Sequence, residues 1–328
     1  MFKEWDKNGD GVLEKNEVPP GPRKIFEKKD ANGDGKISMA EHLGREGKPA
    51  MRPDRPGDGN SDAAFSIGQT WDQEPQGFDR PVYVSEPGSK RGRVPVVIFF
   101  HGAGGNAGGQ IKNWAQLFPD RLVVAPQGYR KGWNIQGEDT NAPDIEFFKA
   151  VIAELEKRYD YADMDNVSLI GSSNGAAYIY RIMIEVGEDL FRNAVPMVSS
   201  LLEVQYNSDT FWMPSGDTDH YDTEADPVGG RRILYLHGTE DRVVPFDGGL
   251  RGRFEHLSAL ETALIWAREQ GYAGEDIDRN DGKDLGDGLT LYEYAGSNVT
   301  FVAVEESGHG LQPHRDAAMD YIQKFLNQ

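Results

Sequence analysis

Val167-Ser168-Leu169-Ile170-Gly171-Ser172-Ser173-Asn174-Gly175 is the stretch that decides the fold. An apolar, strand-like run ends in Gly-x-Ser-x-Gly, the pattern of a sharp strand-to-helix turn that lifts a serine hydroxyl above a sheet. Upstream, the run Val96-Val97-Ile98-Phe99-Phe100 opens into His101-Gly102-Ala103-Gly104-Gly105-Asn106. A glycine-rich loop in that place can aim a backbone N–H at a developing oxyanion. The expected donors are the N–H groups of Ala103 and of Asn174, the residue after the serine.

A serine hydroxyl at neutral pH needs a base, and the base needs a third group to hold its tautomer. On this turn the acid and then the histidine follow downstream, each after a strand. Ile233-Leu234-Tyr235-Leu236 leads into His237-Gly238-Thr239-Glu240-Asp241, and Thr300–Val304 leads into Glu305-Glu306-Ser307-Gly308-His309-Gly310. Asp241 and His309 are therefore assigned with Ser173, with Glu240 and Asp247 as rival acids and His314 as the rival base. His101 and His237 are expected to bond within their loops, and His42, His220 and His256 to face solvent.

Around these motifs, strands are expected at 81–86, 94–100, 121–125, 166–170, 193–199, 232–237, 289–294 and 299–304. Helical spacing of apolar residues marks 144–159, about 257–269 and 315–326. Alternation of this kind predicts an α/β domain with a mostly parallel sheet covered on both faces, over residues 65–328. Residues 45–64 lack apolar periodicity and read as linker.

Residues 1–44 contain one pattern twice. Asp6-Lys7-Asn8-Gly9-Asp10-Gly11-Val12 through Glu17 repeats as Asp30-Ala31-Asn32-Gly33-Asp34-Gly35-Lys36 through Glu41. Oxygens at positions 1, 3 and 5, a turning glycine, a carbonyl at 7 and a carboxylate at 12 make a calcium sphere. Asp6, Asn8, Asp10, the Val12 carbonyl and Glu17 supply one set. Asp30, Asn32, Asp34, the Lys36 carbonyl and Glu41 supply the other. Leu13 and Ile37, at position 8 of each loop, are expected to pair in a short antiparallel bridge. The module resembles a compact all-helical EF-hand pair, and structural Ca²⁺ is expected there, with no cofactor for catalysis. The acidic run 276–282 sets its glycine one place late for the template and reads as a surface loop.

The catalytic-domain motifs, with Trp133-Asn134 and His237-Gly238-Thr239-Glu240-Asp241-Arg242-Val243-Val244-Pro245, resemble α/β-hydrolases grouped with feruloyl esterases and poly(3-hydroxybutyrate) depolymerases. The similarity covers about residues 78–328. It implies the α/β-hydrolase fold, the triad Ser173, Asp241 and His309, and Trp133 near an acyl-binding cleft, although simple core packing suits that indole equally. It implies carboxylic-ester hydrolysis, with feruloyl or other aryl esters of polysaccharide first and polyesters second. The chain departs from relatives at Ala176, at Gly310–Pro313 and in having no cysteine. Peptidases share this triad, and a calcium-dependent adhesion protein with an inactive body is a reading of another class.

Composition narrows the partners. The chain has no cysteine, which excludes disulfides and thiolate chemistry. Its net charge is −19, and residues 1–48 carry ten charges of each sign, so the whole excess lies beyond the calcium loops. Such a body repels nucleic acid and anionic lipid, and no apolar run approaches the ~20 residues of a membrane span. An extracellular protein that has lost its secretion signal is expected. The sequence leaves the oligomeric state open.

Overall fold

The computed structural model describes residues 12–15, 17, 36–38, 63–138, 140–216, 218 and 220–328. Two compact units divide the chain, Met1–Arg55 and Pro56–Gln328. In the first, β1 (Val12–Glu14) pairs antiparallel with β2 (Lys36–Ser38), setting Leu13 opposite Ile37. Both side chains are buried, as their loop positions predict. Glu17 accepts the Glu14 N–H at 3.0 Å. Of the expected calcium ligands, Asp6, Asn8, Asp10, Asp30, Asn32, Asp34 and Glu41 lie outside the described residues, as does His42.

The second unit begins with β3 (Phe65–Trp71), β4 (Glu74–Ser85), β5 (Val94–Phe100), α1 (Ala107–Leu117) and β6 (Leu122–Pro126). There follow α2 (Asp144–Arg158), β7 (Ala162–Ser172), α3 (Asn174–Glu185) and β8 (Asn193–Met197). Short strands β9 (Tyr206–Asn207), β10 (Thr210–Pro214) and β11 (Tyr221–Ala225) form a separate small sheet. Then come β12 (Arg232–Gly238), the hairpin β13 (Gly249–Arg251) and β14 (Phe254–His256), and α4 (Ala259–Glu269). β15 (Lys283–Gly286), β16 (Leu289–Glu293), β17 (Val299–Val304) and α5 (Arg315–Leu326) finish the chain.

Ten strands form one sheet in the order β15-β16-β17-β12-β8-β7-β5-β6-β4-β3. The six from β17 to β6 run parallel, and the outer strands pair antiparallel. Alternation along β5 explains why the sheet needs helices on both faces. Val96, Ile98 and Phe100 join the core that contains Phe147 and Phe148 of α2 and Tyr178 of α3. Val97 and Phe99 join the opposite core with Trp114 of α1 and Ile322 of α5. Each such side chain, fully buried, contributes about 1.5–3 kcal/mol.

The elements absent from the sequence reading are instructive. Helix α1 opens with Gly108 and Gly109, which weaken any helical signal. Asn106 offsets this as N-cap, its side-chain oxygen accepting the Gly109 N–H at 3.1 Å. Strand β4 starts at Glu74, earlier than its apolar part suggests, because β3 pairs with its polar half. The 276–282 run is exposed except at the half-buried Ile277 and Gly282, and holds a 3-10 turn, Arg279–Asp281, in keeping with a surface loop.

Candidate active site

Strand β7 ends where α3 begins, and Ser173 occupies the corner at φ 56° and ψ −121°. Such a conformation in a residue with a Cβ costs on the order of 1–3 kcal/mol. The corner closes only because its flanking residues are glycines. A Cβ at Gly171 would stand 2.4 Å from the Gly175 carbonyl oxygen, and one at Gly175 would stand 2.1 Å from that of Phe100. The Ser173 N–H donates to the Met197 carbonyl at 2.9 Å, tying the corner to β8.

His309, on the loop after β17, reaches this corner. Its Nε2 lies 2.9 Å from the Ser173 Oγ, and its Nδ1 lies 2.7 Å from the Asp241 Oδ2. The other Asp241 oxygen accepts the N–H groups of Val243 at 2.8 Å and Val244 at 3.0 Å. Burial of Asp241 pulls its affinity for protons up. Hydrogen bonds from His237 and His309, the charge of His309 and the Val243 N–H outweigh it and hold the carboxyl well below the usual range. An ionised Asp241 accepts from Nδ1–H, which leaves Nε2 free to accept the serine proton.

The rivals fall away on position. Glu240 is exposed, Asp247 is exposed and lies 3.7 Å from Arg279, and His314 caps the start of α5. His237 bonds within its loop as expected, with Nε2 2.9 Å from the Val244 carbonyl, and it also stands 3.4 Å from Asp241 Oδ2. His220 is exposed. His256 does not face solvent: strand β14 buries it, with Nδ1 3.2 Å from Ser200 Oγ. Ser200 and Leu202, the bridge partner of His256, lie more than fifty positions away in sequence, so this burial leaves no local signal.

The glycine-rich loop passes directly beside the serine, since a Cβ at Gly102 would lie 3.4 Å from the Ser173 Cβ. Among the described residues, no protein acceptor takes the N–H of Ala103 or of Asn174. His101 holds the loop from behind. Its Nε2 accepts the Gly128 N–H at 3.0 Å, so its Nδ1 carries the proton donated to the Gly102 carbonyl at 2.8 Å.

Trp133 is not a wall of the cleft. Its indole is buried, stacks on Tyr178 with centroids 4.5 Å apart, and donates to the His101 carbonyl at 2.9 Å. Phe147 at 6.4 Å and Phe100, edge-on at 5.4 Å, complete an aromatic packing that holds the ring in the core. The Trp133 backbone is what reaches the site. The Asn174 side chain accepts the Trp133 N–H at 2.8 Å and donates to the Trp133 carbonyl at 3.0 Å.

A sheet of this order, with a serine at the strained corner and His309 bonded to it and to Asp241, settles the fold. The chain has the α/β-hydrolase fold. Its structure is similar to that of the Pyrococcus horikoshii acylaminoacyl peptidase, with a TM-score of 0.51, 14% identity, and coverage of 80% of this chain and 41% of that one. A thermophilic esterase from Thermogutta terrifontis, Est2, is similar at a TM-score of 0.49 and 14% identity, covering 80% of this chain and 94% of that one. In sequence, the chain is 26% identical over 190 residues, 55% of its length, to a probable feruloyl esterase C of Aspergillus niger. The match spans about 61% of the length of that relative. A family model described as EF hand matches residues 23–41.

Two features of this fold have no local signal in the sequence. Arg80 and Asp144, both fully buried, pair at 2.7 Å behind the Trp133 loop, and Asp144 also accepts the Asn134 N–H at 2.8 Å. Nothing in their spacing marks them as partners. His101 and His256 are each held at about 4, chiefly by burial that disfavours the charged ring. Their folded values lie below the ordinary ~6.5, so the unfolded chain takes up protons first as pH falls. Stability is therefore full above about pH 6.5 and declines toward pH 4, with His101 alone contributing on the order of 3 kcal/mol. Urea midpoints at pH 7.5 and 4.5 check this, and equal midpoints contradict it.

Proposed function

We propose that this α/β-hydrolase is a serine carboxylic-ester hydrolase that works through an acyl-enzyme. The observation that carries the reading is His309 bridging Ser173 and Asp241. Ser173 Oγ attacks the ester carbonyl carbon while its proton passes to His309 Nε2. The Ala103 and Asn174 N–H groups receive the oxyanion. The carbon–oxygen bond to the alcohol then breaks, and the alcohol leaves with the Nε2 proton. Water repeats the sequence on the acyl-enzyme, releasing the acid and restoring the serine. Asp241 holds the ring and stabilises its positive charge.

The first substrate to test is a feruloyl or related aryl ester on polysaccharide, a choice supported by the Aspergillus niger relative. A panel of methyl ferulate, acetylated xylan, poly(3-hydroxybutyrate) and terephthalate esters tests it. Methyl ferulate is expected to be turned over with the highest kcat/KM, and preference for either polyester overturns the choice. Turnover of p-nitrophenyl acetate separates any esterase from a binding protein with an inactive body.

The N-terminal unit is read as a structural calcium module of an extracellular protein. The antiparallel pairing of Leu13 with Ile37, position 8 of each loop template, supports the reading, as does Glu17 accepting the Glu14 N–H. Asp6, Asn8, Asp10, the Val12 carbonyl and Glu17 would hold one ion, and Asp30, Asn32, Asp34, the Lys36 carbonyl and Glu41 the other. Bound at a hundredfold excess over its Kd, an ion stabilises its module by about 2.7 kcal/mol. EDTA is expected to remove an unfolding transition of the N-terminal unit in calorimetry while ester turnover stays within about twofold. Loss of all activity in EDTA, restored by Ca²⁺, contradicts the structural role.

A further inference from the structure

A cavity of about 490 Å³ opens beside the reacting groups, with Gly102, Ser172 and His309 on its wall. It lies between α1 and α5 and continues along Gly310, Leu311 and Gln312, the residues that follow His309. Trp114, Leu117 and Met197 give it an apolar side. Two polar groups on its lining are unused. The Gln110 side-chain oxygen is buried with no hydrogen-bond partner among the described residues. The Arg315 guanidinium is exposed, and among the described residues no carboxylate pairs with it.

Buried amide atoms without partners are few in native proteins, and one that lines a cavity calls for a group from outside the chain. Turned over, the same amide offers N–H donors in place of its oxygen. A guanidinium on the same lining that no carboxylate of the described residues pairs with, on a chain of net charge −19, is a site for a carboxylate, which it can grip through two parallel bonds. Which half of an ester meets it follows from proton transfer. His309 Nε2 must lie within hydrogen-bond reach of the leaving oxygen to protonate it. The group that enters a cavity walled by His309 and its following residues is therefore the alcohol portion.

We propose that the cavity between α1 and α5 receives the alcohol portion of the ester, and that Arg315 selects alcohols carrying an ionised carboxylate. Arg315 is thus a specificity-determining residue. The inference rests on the ester-hydrolase reading and adds to it the chemistry of one substrate half. It also sets a local cation against the acidic body, whose field alone disfavours anionic substrates.

The test compares 4-acetoxybenzoate with the neutral 4-acetoxybenzamide in wild type, Arg315→Gln and Arg315→Lys. The ratio of their kcat/KM values is expected to fall about tenfold in Arg315→Gln, mostly through KM, as for a lost hydrogen bond to a charged group. Lysine, a point charge without the fork, is expected to restore part of it. In parallel, calorimetry follows 4-hydroxybenzoate binding to Ser173→Ala protein, where adding Arg315→Gln is expected to weaken Kd by a similar factor. An unchanged ratio and unchanged Kd, with esters still hydrolysed, overturn the inference and leave the hydrolase reading intact. Arg315-dependent binding in a protein that hydrolyses neither ester supports the carboxylate site and overturns the hydrolase reading instead.

Discussion

Ser173→Ala is expected to lower kcat for p-nitrophenyl acetate by about 10⁶-fold, the loss that follows removal of a serine nucleophile acting in concert with its base. The side chain removed is the one whose Oγ lies 2.9 Å from His309 Nε2. Without it, only water remains to attack, helped by the Ala103 and Asn174 N–H groups, and that help is worth about 10³–10⁴ over bulk solution. Alanine keeps the serine Cβ, so the corner at φ 56° is no more crowded than before. The folded protein should therefore survive, with a thermal midpoint close to that of wild type. Loss of less than about a hundredfold in a folded variant would move the nucleophile elsewhere.

The second large effect belongs to Asp241→Asn, expected to lower kcat by about 10⁴-fold. The reason lies in how the acid is held. One carboxylate oxygen already accepts two backbone N–H groups, from Val243 and Val244. An asparagine must therefore turn its carbonyl to that pair and its NH₂ to His309. The Nδ1 atom of the ring then has to accept, and the proton moves to Nε2, where it faces Ser173. The base is present in the wrong tautomer. Asp247→Asn, on an exposed carboxylate, is the control and should retain activity. Equal activity of Asp241→Asn and wild type would mean that the aspartate does not orient the ring.

The central strands and the three assigned side chains could be read from sequence because their signals are local. Fully apolar runs such as Val94–Phe100 admit few structures other than a buried strand, and glycines at Gly171 and Gly175 mark a corner that tolerates nothing larger. The bridge between Leu13 and Ile37 was legible because loop position dictates it. What escaped depends on distant partners. Trp133 is drawn into the core by Tyr178, 45 positions away, and His256 is buried against Ser200. Asn174 is legible as an oxyanion donor through its backbone, yet its side-chain clamp on Trp133 is not. The same holds for Arg80 and Asp144, whose pairing exists only once β4 and α2 have packed.

The direct measurement is covalent labelling of the protein with a fluorophosphonate ester, followed by mass spectrometry of the peptides. Bond formation at the serine needs the hydroxyl, the base and the backbone donors together, independently of which ester is the natural substrate. One phosphonyl group per chain on Ser173, with labelling suppressed in His309→Ala, is the predicted result. A folded, unlabelled protein, or an adduct on any other residue, contradicts the account.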